Sequence, residues 1–209
     1  TLPVTFDSGS VSLTNILVVG GNVHVTGSGT TLNVAGPSGA LSTGFNLLVD
    51  GSAVFSMTGS VSVSGNATFA SSVVNAGMTA GVLSVGGNFT QTGHAQSFQA
   101  SGTHLTQFIG SVVQTVDFAS AGAANSHFQQ VLVANAAGGS VTVPATKELF
   151  ALGDMSVSLG ALTGSGRVHV VGNLTAAAGI TLTPRHLGIE GGMTLGGTIA
   201  PDTIEWLGF

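Results

Sequence analysis

Acids, bases and nucleophiles do most protein chemistry, and this chain holds few of them. Among 209 residues there are eight Asp or Glu, six His, three Lys or Arg, and no Cys or Tyr. The carboxylates are scattered, and the nearest groupings are Asp202 with Glu205 and Glu148 with Asp154. Cleavage of a glycosidic bond needs two carboxylates on opposite sides of it. A stacked fold can bring such a pair together from distant positions. A polysaccharide-cleaving enzyme therefore stays as the least favoured reading, with Asp117, Asp154, Asp202 and Glu205 as its candidates. His24, His94, His104, His127, His169 and His186 form no His-x-His or other close ligand spacing. His24 and His169 each sit between valines and are expected to face solvent. Calcium needs several carboxylates, and no acidic loop supplies them. No Gly-x-Ser-x-Gly, Ser-x-x-Lys or His-Glu-x-x-His occurs, and Lys147 follows Thr146 outside any phosphate-binding loop. Gly27-Ser28-Gly29 and Gly164-Ser165-Gly166 read as chain corners. The expectation is no catalytic residue, no cofactor and no metal.

The rest of the composition explains this poverty. Charged residues are 5% of the chain, whereas an average domain carries about a quarter. Three basic residues cannot track a phosphate backbone, which excludes nucleic acid as a partner. The absence of Cys excludes a disulfide framework. Hydropathy is too high and net charge too low for a disordered chain. The longest clean aliphatic run, Ile16 to Val19, is far short of the ~20 residues of a spanning helix. The chain starts at Thr1, so the reading is a removed leader or an excised segment. A surface rich in Gly, Ser, Thr and Asn with almost no Lys suggests an extracellular or cell-surface setting. Asn-x-Ser/Thr triplets start at Asn66, Asn88 and Asn173, and in so Asn-rich a chain they read as chance.

Apolar residues alternate with small polar ones almost throughout. Val23 and Val25 flank His24, Leu32 and Val34 flank Asn33, and Met155, Val157, Leu159 and Ala161 share one parity. This places one sheet face inward and one outward. Helical periodicity is confined to Ala119 to Gln130, where Gly122 and Asn125 weaken it. Phe69, Phe89, Phe98, Phe108, Phe118 and Phe128 recur about every ten residues and read as an internal stack. With a single Trp and no Tyr, an exposed sugar-stacking platform is the weaker reading. Thr-rich strands are too irregularly spaced for a flat ice-binding array.

A degenerate unit also recurs, in which an apolar strand runs into Gly, then Asn or a small residue, then another strand. It appears as Leu17 to Val23, Leu48 to Val54, Val63 to Phe69, Leu83 to Phe89, Val168 to Leu174 and Leu187 to Met193. Repeats of this kind cannot bury their own apolar faces and must stack. The predicted fold is all-β, a single domain over 1–209 forming an irregular right-handed parallel β-helix of about nine rungs. The alternative is an antiparallel β-sandwich, since alternation cannot tell parallel from antiparallel pairing.

Residues 86–143 carry a more particular series. It runs Gly87-Asn88-Phe89-Thr90, Ser101-Gly102-Thr103 followed by Phe108 and Gly110, Gln114-Thr115-Val116, and Phe128 followed by Leu132, Val133 and Asn135. This stretch resembles repeats of secreted bacterial β-helix adhesins and autotransporter passengers. The resemblance implies a secreted or surface-exposed structural protein and assigns no chemistry.

A stacked fold has two ends whose strand edges need covering. Here the terminal segments carry little charge. Val4 and Phe6 at one end, and Ile204, Trp206, Leu207 and Phe209 at the other, are the candidate contacts for head-to-tail self-association. The functional expectation is a non-enzymatic extracellular structural protein that self-assembles into a filament or matrix, or forms a segment of an adhesin. The second expectation is a module that binds surface glycans or a receptor.

Overall fold

The computed structural model describes residues 2–136 and 138–208. Twenty-five strands and no helix occur among them. Every strand pairing is parallel, as in Val4–Phe6 on Val23–Val25, Ile16–Val19 on Ala40–Thr43, and Thr31–Val34 on Val54–Met57. Parallel pairing throughout rules out the sandwich and makes the chain a β-solenoid, a parallel β-helix of about ten turns. With ten rungs about 4.8 Å apart, the rod is about 43 Å long.

Each early rung has three sides. Face I begins with Val4–Phe6 and continues through Val23–Val25, Leu47–Val49, Ala67–Phe69 and Phe89–Gln91. Face II begins with Ser10–Leu13, Thr31–Val34 and Val54–Met57. Face III is a nine-stranded sheet running from Ile16–Val19 to Met193–Leu195. In the middle rungs face II thins to single bridges, Met78 to Ala100 and Gln99 to His127. It re-forms at Glu148–Ala151. There two long strands, Ala161–Val170 and Thr181–Ile189, run through the corner and serve faces I and II in turn. Rung length varies from 17 positions, Thr181 to Thr198, to 28, Gln99 to His127. The short last rungs are why ten fit where nine are expected.

Alternation fixes what fills the coil. In Val23–Val25 the valines are fully buried and His24 is half-exposed, and Leu41, Val61 and Leu83 repeat the pattern on face III. The six phenylalanines form the expected internal stack: all are buried, and Phe89 has the rings of Phe69, Phe98, Phe118 and Phe128 at 4.8–5.8 Å between centroids. The contacts with Phe98 and Phe128 are edge-to-face, a geometry that adds stabilisation beyond area burial. Residues 119–130 form turns and bridges rather than a helix.

The recurring Gly-Asn becomes an asparagine ladder on the edge between faces III and I. The Asn22 Oδ1 accepts from the Asn46 backbone N–H at 3.1 Å, Asn46 from Asn66 at 2.8 Å, Asn66 from Asn88 at 2.8 Å, and Asn88 from Thr115 at 2.8 Å. It resumes where Asp154 accepts from the Asn173 N–H and Asn173 from the Gly192 N–H, both at 2.8 Å. Between these runs the 86–143 stretch uses buried amides instead. Gln114 accepts from the Gly110 N–H at 2.8 Å and from Asn135 Nδ2 at 2.6 Å, and it donates to the Val85 carbonyl at 2.9 Å. Gln91 donates to the His94 carbonyl at 2.9 Å and accepts from the Ser120 N–H at 3.1 Å. The Gln and Asn of that stretch therefore satisfy corner backbone groups that would otherwise be buried unpaired.

Candidate functional sites: the open ends and a charged cleft

Two places depart from the wetted, uncharged side walls. The first is the pair of ends. At the N-terminal rung, Val4 and Phe6 on face I, Val11 and Leu13 on face II, and Leu17 on face III point into the coil and are only half-buried. One rung further in, the same columns hold Val23, Val25, Leu32, Val34 and Leu41, all 0–1% exposed. The C-terminal end mirrors this. Met193 and Leu195 on face III and Ile199 on face I are half-buried. Ile204 and Trp206 stand in register above Leu187 and Ile189, which are fully buried, yet they are 48% and 55% exposed. Nothing among the described residues covers them. Leu207 takes the opposite parity, and its side chain lies over Gly188 on the outside of face II. Phe209, the last of the expected contacts, lies outside the described residues. The residues that alternation alone passes over are Val11, Leu13, Leu17, Met193, Leu195 and Ile199. They become end-facing only through the register.

The second place is on face II and its corner with face I, in the later rungs. Of the eleven charged residues, only Asp7, Asp50 and Asp154 stand elsewhere. Lys147 Nζ lies 2.6 Å from Asp117. Arg167 reaches Glu205 at 3.1 Å and Glu148 at 3.5 Å, and Arg185 reaches Asp202 at 3.6 Å. His169 faces outward as expected but is covered: its ring meets Phe150 at 4.6 Å, and Glu190 and Glu148 lie on its two nitrogens at 2.9 and 3.5 Å. These two carboxylates sit at opposite ends of the ring and do not converge on one point. No group of three or more His, Asp or Glu is placed to hold a metal among the described residues. Stacking brings Glu148 toward Glu205 through Arg167, while Asp154 serves the asparagine ladder instead. The candidate carboxylates thus separate into different tasks.

Lys147, Glu148, Arg167, Arg185 and His186 line a cleft of about 380 Å³ with Thr146, Ser165 and Gly166. Glu148, Arg167 and His186 are register partners on three successive rungs. The signal was present in the sequence. Lys147, Arg167 and Arg185 are spaced 20 and 18 positions apart, each within one place of the 19-residue rungs that pair Glu148 with Arg167 and Arg167 with His186, and only the pairing shows this. Gly164-Ser165-Gly166 is a corner, as expected, and it is also a wall of this cleft.

A smaller hollow of about 310 Å³ near the N-terminal end is lined by Pro3, Thr5, Asn22 and His24 among others. Beside it His24 Nε2 lies 2.9 Å from Asp50. Burial disfavours the charged Asp50, but hydrogen bonds from Thr26 and His24 outweigh it and hold the carboxyl pKa below its usual value. No helix among the described residues is long and apolar enough to cross a membrane. Comparison with known proteins found no match among family models, curated proteins or solved structures.

Proposed function

We propose that this chain is a non-enzymatic structural protein of the cell exterior that assembles head to tail into filaments. The carrying observation is that, among the described residues, the outermost rungs at both ends leave core-facing apolar side chains uncovered on all three faces, in one strand direction. A second copy placed on the C-terminal end would set Val4–Phe6 over Thr198–Ile199, Ser10–Leu13 over Thr203–Trp206, and Ile16–Val19 over Met193–Leu195. Such a contact joins unlike surfaces, so it repeats without closing and yields a filament. It also occupies the open strand edges, which otherwise invite uncontrolled pairing. A net charge of −5 on 20.5 kDa opposes this stacking weakly. The extracellular setting rests on composition and on the β-helix adhesin resemblance. In an adhesin, adjoining rungs of the same chain would cover these ends.

The test uses two end-blocked variants, Leu13→Lys at one end and Ile204→Lys at the other, each checked for folding by circular dichroism. The wild-type chain should form rods that lengthen with concentration, visible by electron microscopy and sedimentation. Each variant alone should stay monomeric. A mixture of the two should form dimers and nothing longer, because one good interface remains. A wild-type chain that stays monomeric at about 1 mM overturns the proposal.

A further inference from the structure

We infer that the outer wall of face III is a lateral docking surface for a second copy of this chain, through which head-to-tail filaments pair side by side. It rests on the head-to-tail reading, because only a filament repeats this wall along its length. Twelve large apolar side chains are exposed among the described residues, and three of them, Ile204, Trp206 and Leu207, belong to the C-terminal end. Eight of the other nine stand on face III or on its edge with face I, among them Ile16, Val18, Phe45, Val113 and Leu159. The charges lie elsewhere. No Asp, Glu, Lys, Arg or His occurs in the strands of face III or in the turns that lead from it to face I.

A shortage of charge around apolar anchors is what distinguishes the centre of a protein interface. Alternation turns two columns outward on this face. One runs Val18, Ser42, Ser62, Ser84, Gln107 and Leu132. In the other, Val82 and Leu105 are neighbours on the middle rungs. Short serine side chains let two sheets approach to about 10 Å. The hydrocarbon of a lipid surface would leave these hydroxyls and the Gln107 amide without partners, whereas a second sheet of the same kind supplies them.

The order of strands selects the arrangement. Leu105–Phe108 is the fifth of the nine strands. A two-fold axis along it sets all nine strands of one copy against the nine of the other, with the rods antiparallel. Leu105 then meets Leu105, and the Gln107 amide, which both donates and accepts, meets its own copy. The wall is about 38 Å long and 13 Å wide, or about 500 Å² per copy. Two single chains therefore bury about 1,000 Å², the lower bound for a stable contact. Isolated chains adhere weakly and end-blocked ones stay single, while filaments repeat the contact at every subunit and adhere firmly.

Electron microscopy of filaments, with width and length measured separately, tests this. Wild-type filaments should have double width. Gln107→Arg and Gln107→Glu, each checked for folding by circular dichroism, should give filaments of single width and unchanged length, because like charges meet at the axis. Preformed filaments of the two variants, once mixed, should pair again. Wild-type filaments of single width overturn the lateral contact alone, and their binding to phosphatidylcholine vesicles would assign the wall to a lipid surface instead. Pairing that survives Gln107→Arg, or variants that stay single when mixed, overturns it as well. A wild type that forms no filaments removes both this contact and the stacking beneath it.

Discussion

His104 is sealed inside the coil, with Nδ1 3.3 Å from the Ala80 carbonyl and Nε2 3.3 Å from Thr106 Oγ1. Burial lowers its pKa from 6.5 to about 4, and the Ala80 contact opposes this only in part. The unfolded chain takes up a proton near pH 6.5 that the folded chain refuses until about pH 4. Stability from this group is therefore full above pH 6.5 and falls as the pH drops toward 4. The loss should be about 2 kcal/mol between pH 7 and pH 5. Denaturant unfolding at both pH values should show that drop in the wild type and a smaller one in His104→Gln. Asn66 acts differently, through its side-chain acceptor. Asn66→Ala should cost about 1 kcal/mol by leaving the Asn88 N–H without its partner. A cycle with Asn46→Ala should be close to additive, because the Asn46 side chain bonds the backbone N–H at position 66, which alanine keeps. The sequence showed the repeated Gly-Asn as corners. It could not show that each side chain bonds the rung above, because that depends on a register of some twenty residues.

At the scale of elements, parity was legible and pairing was not. The alternation around Val23 and Val25, and the ten-residue Phe spacing, announced which side chains lie inside. Parallel pairing leaves no mark in alternation, which is why a sandwich stayed open. The passage of Ala161–Val170 through a corner was also hidden, since Gly164-Ser165-Gly166 reads as a strand break. Two substitutions probe the elements. Gly81 has φ +80°, and a Cβ there would collide with the Gly59 carbonyl of the rung below. Gly81→Ala should cost about 2 kcal/mol or more, read as a lower denaturation midpoint. Phe89→Ala empties the centre of the ring stack and should cost about 3–5 kcal/mol.

For the whole molecule, the ends decide behaviour. Interior rungs are covered on both sides and end rungs on one, so melting should start from the ends. If copies stack, the melting temperature should rise with protein concentration in the wild type, and remain flat in Leu13→Lys or Ile204→Lys. Scanning calorimetry over a hundredfold dilution checks this. The end columns were half legible: Val4, Phe6, Ile204 and Trp206 stand out as apolar terminal residues. Leu13 and Met193 look like ordinary core until the register shows that they stand on the outermost described rungs.

The orientation of the strands has a mechanical consequence. The backbone hydrogen bonds that join rungs run along the rod, so tension along its axis loads them in series. A rod pulled by its two ends should peel one rung at a time, each step releasing about twenty residues of slack. The same geometry resists bending, because faces I and III are continuous ladders along the rod. Such a rod would be stiff against thermal motion yet extensible under load, yielding one rung at a time rather than breaking at once.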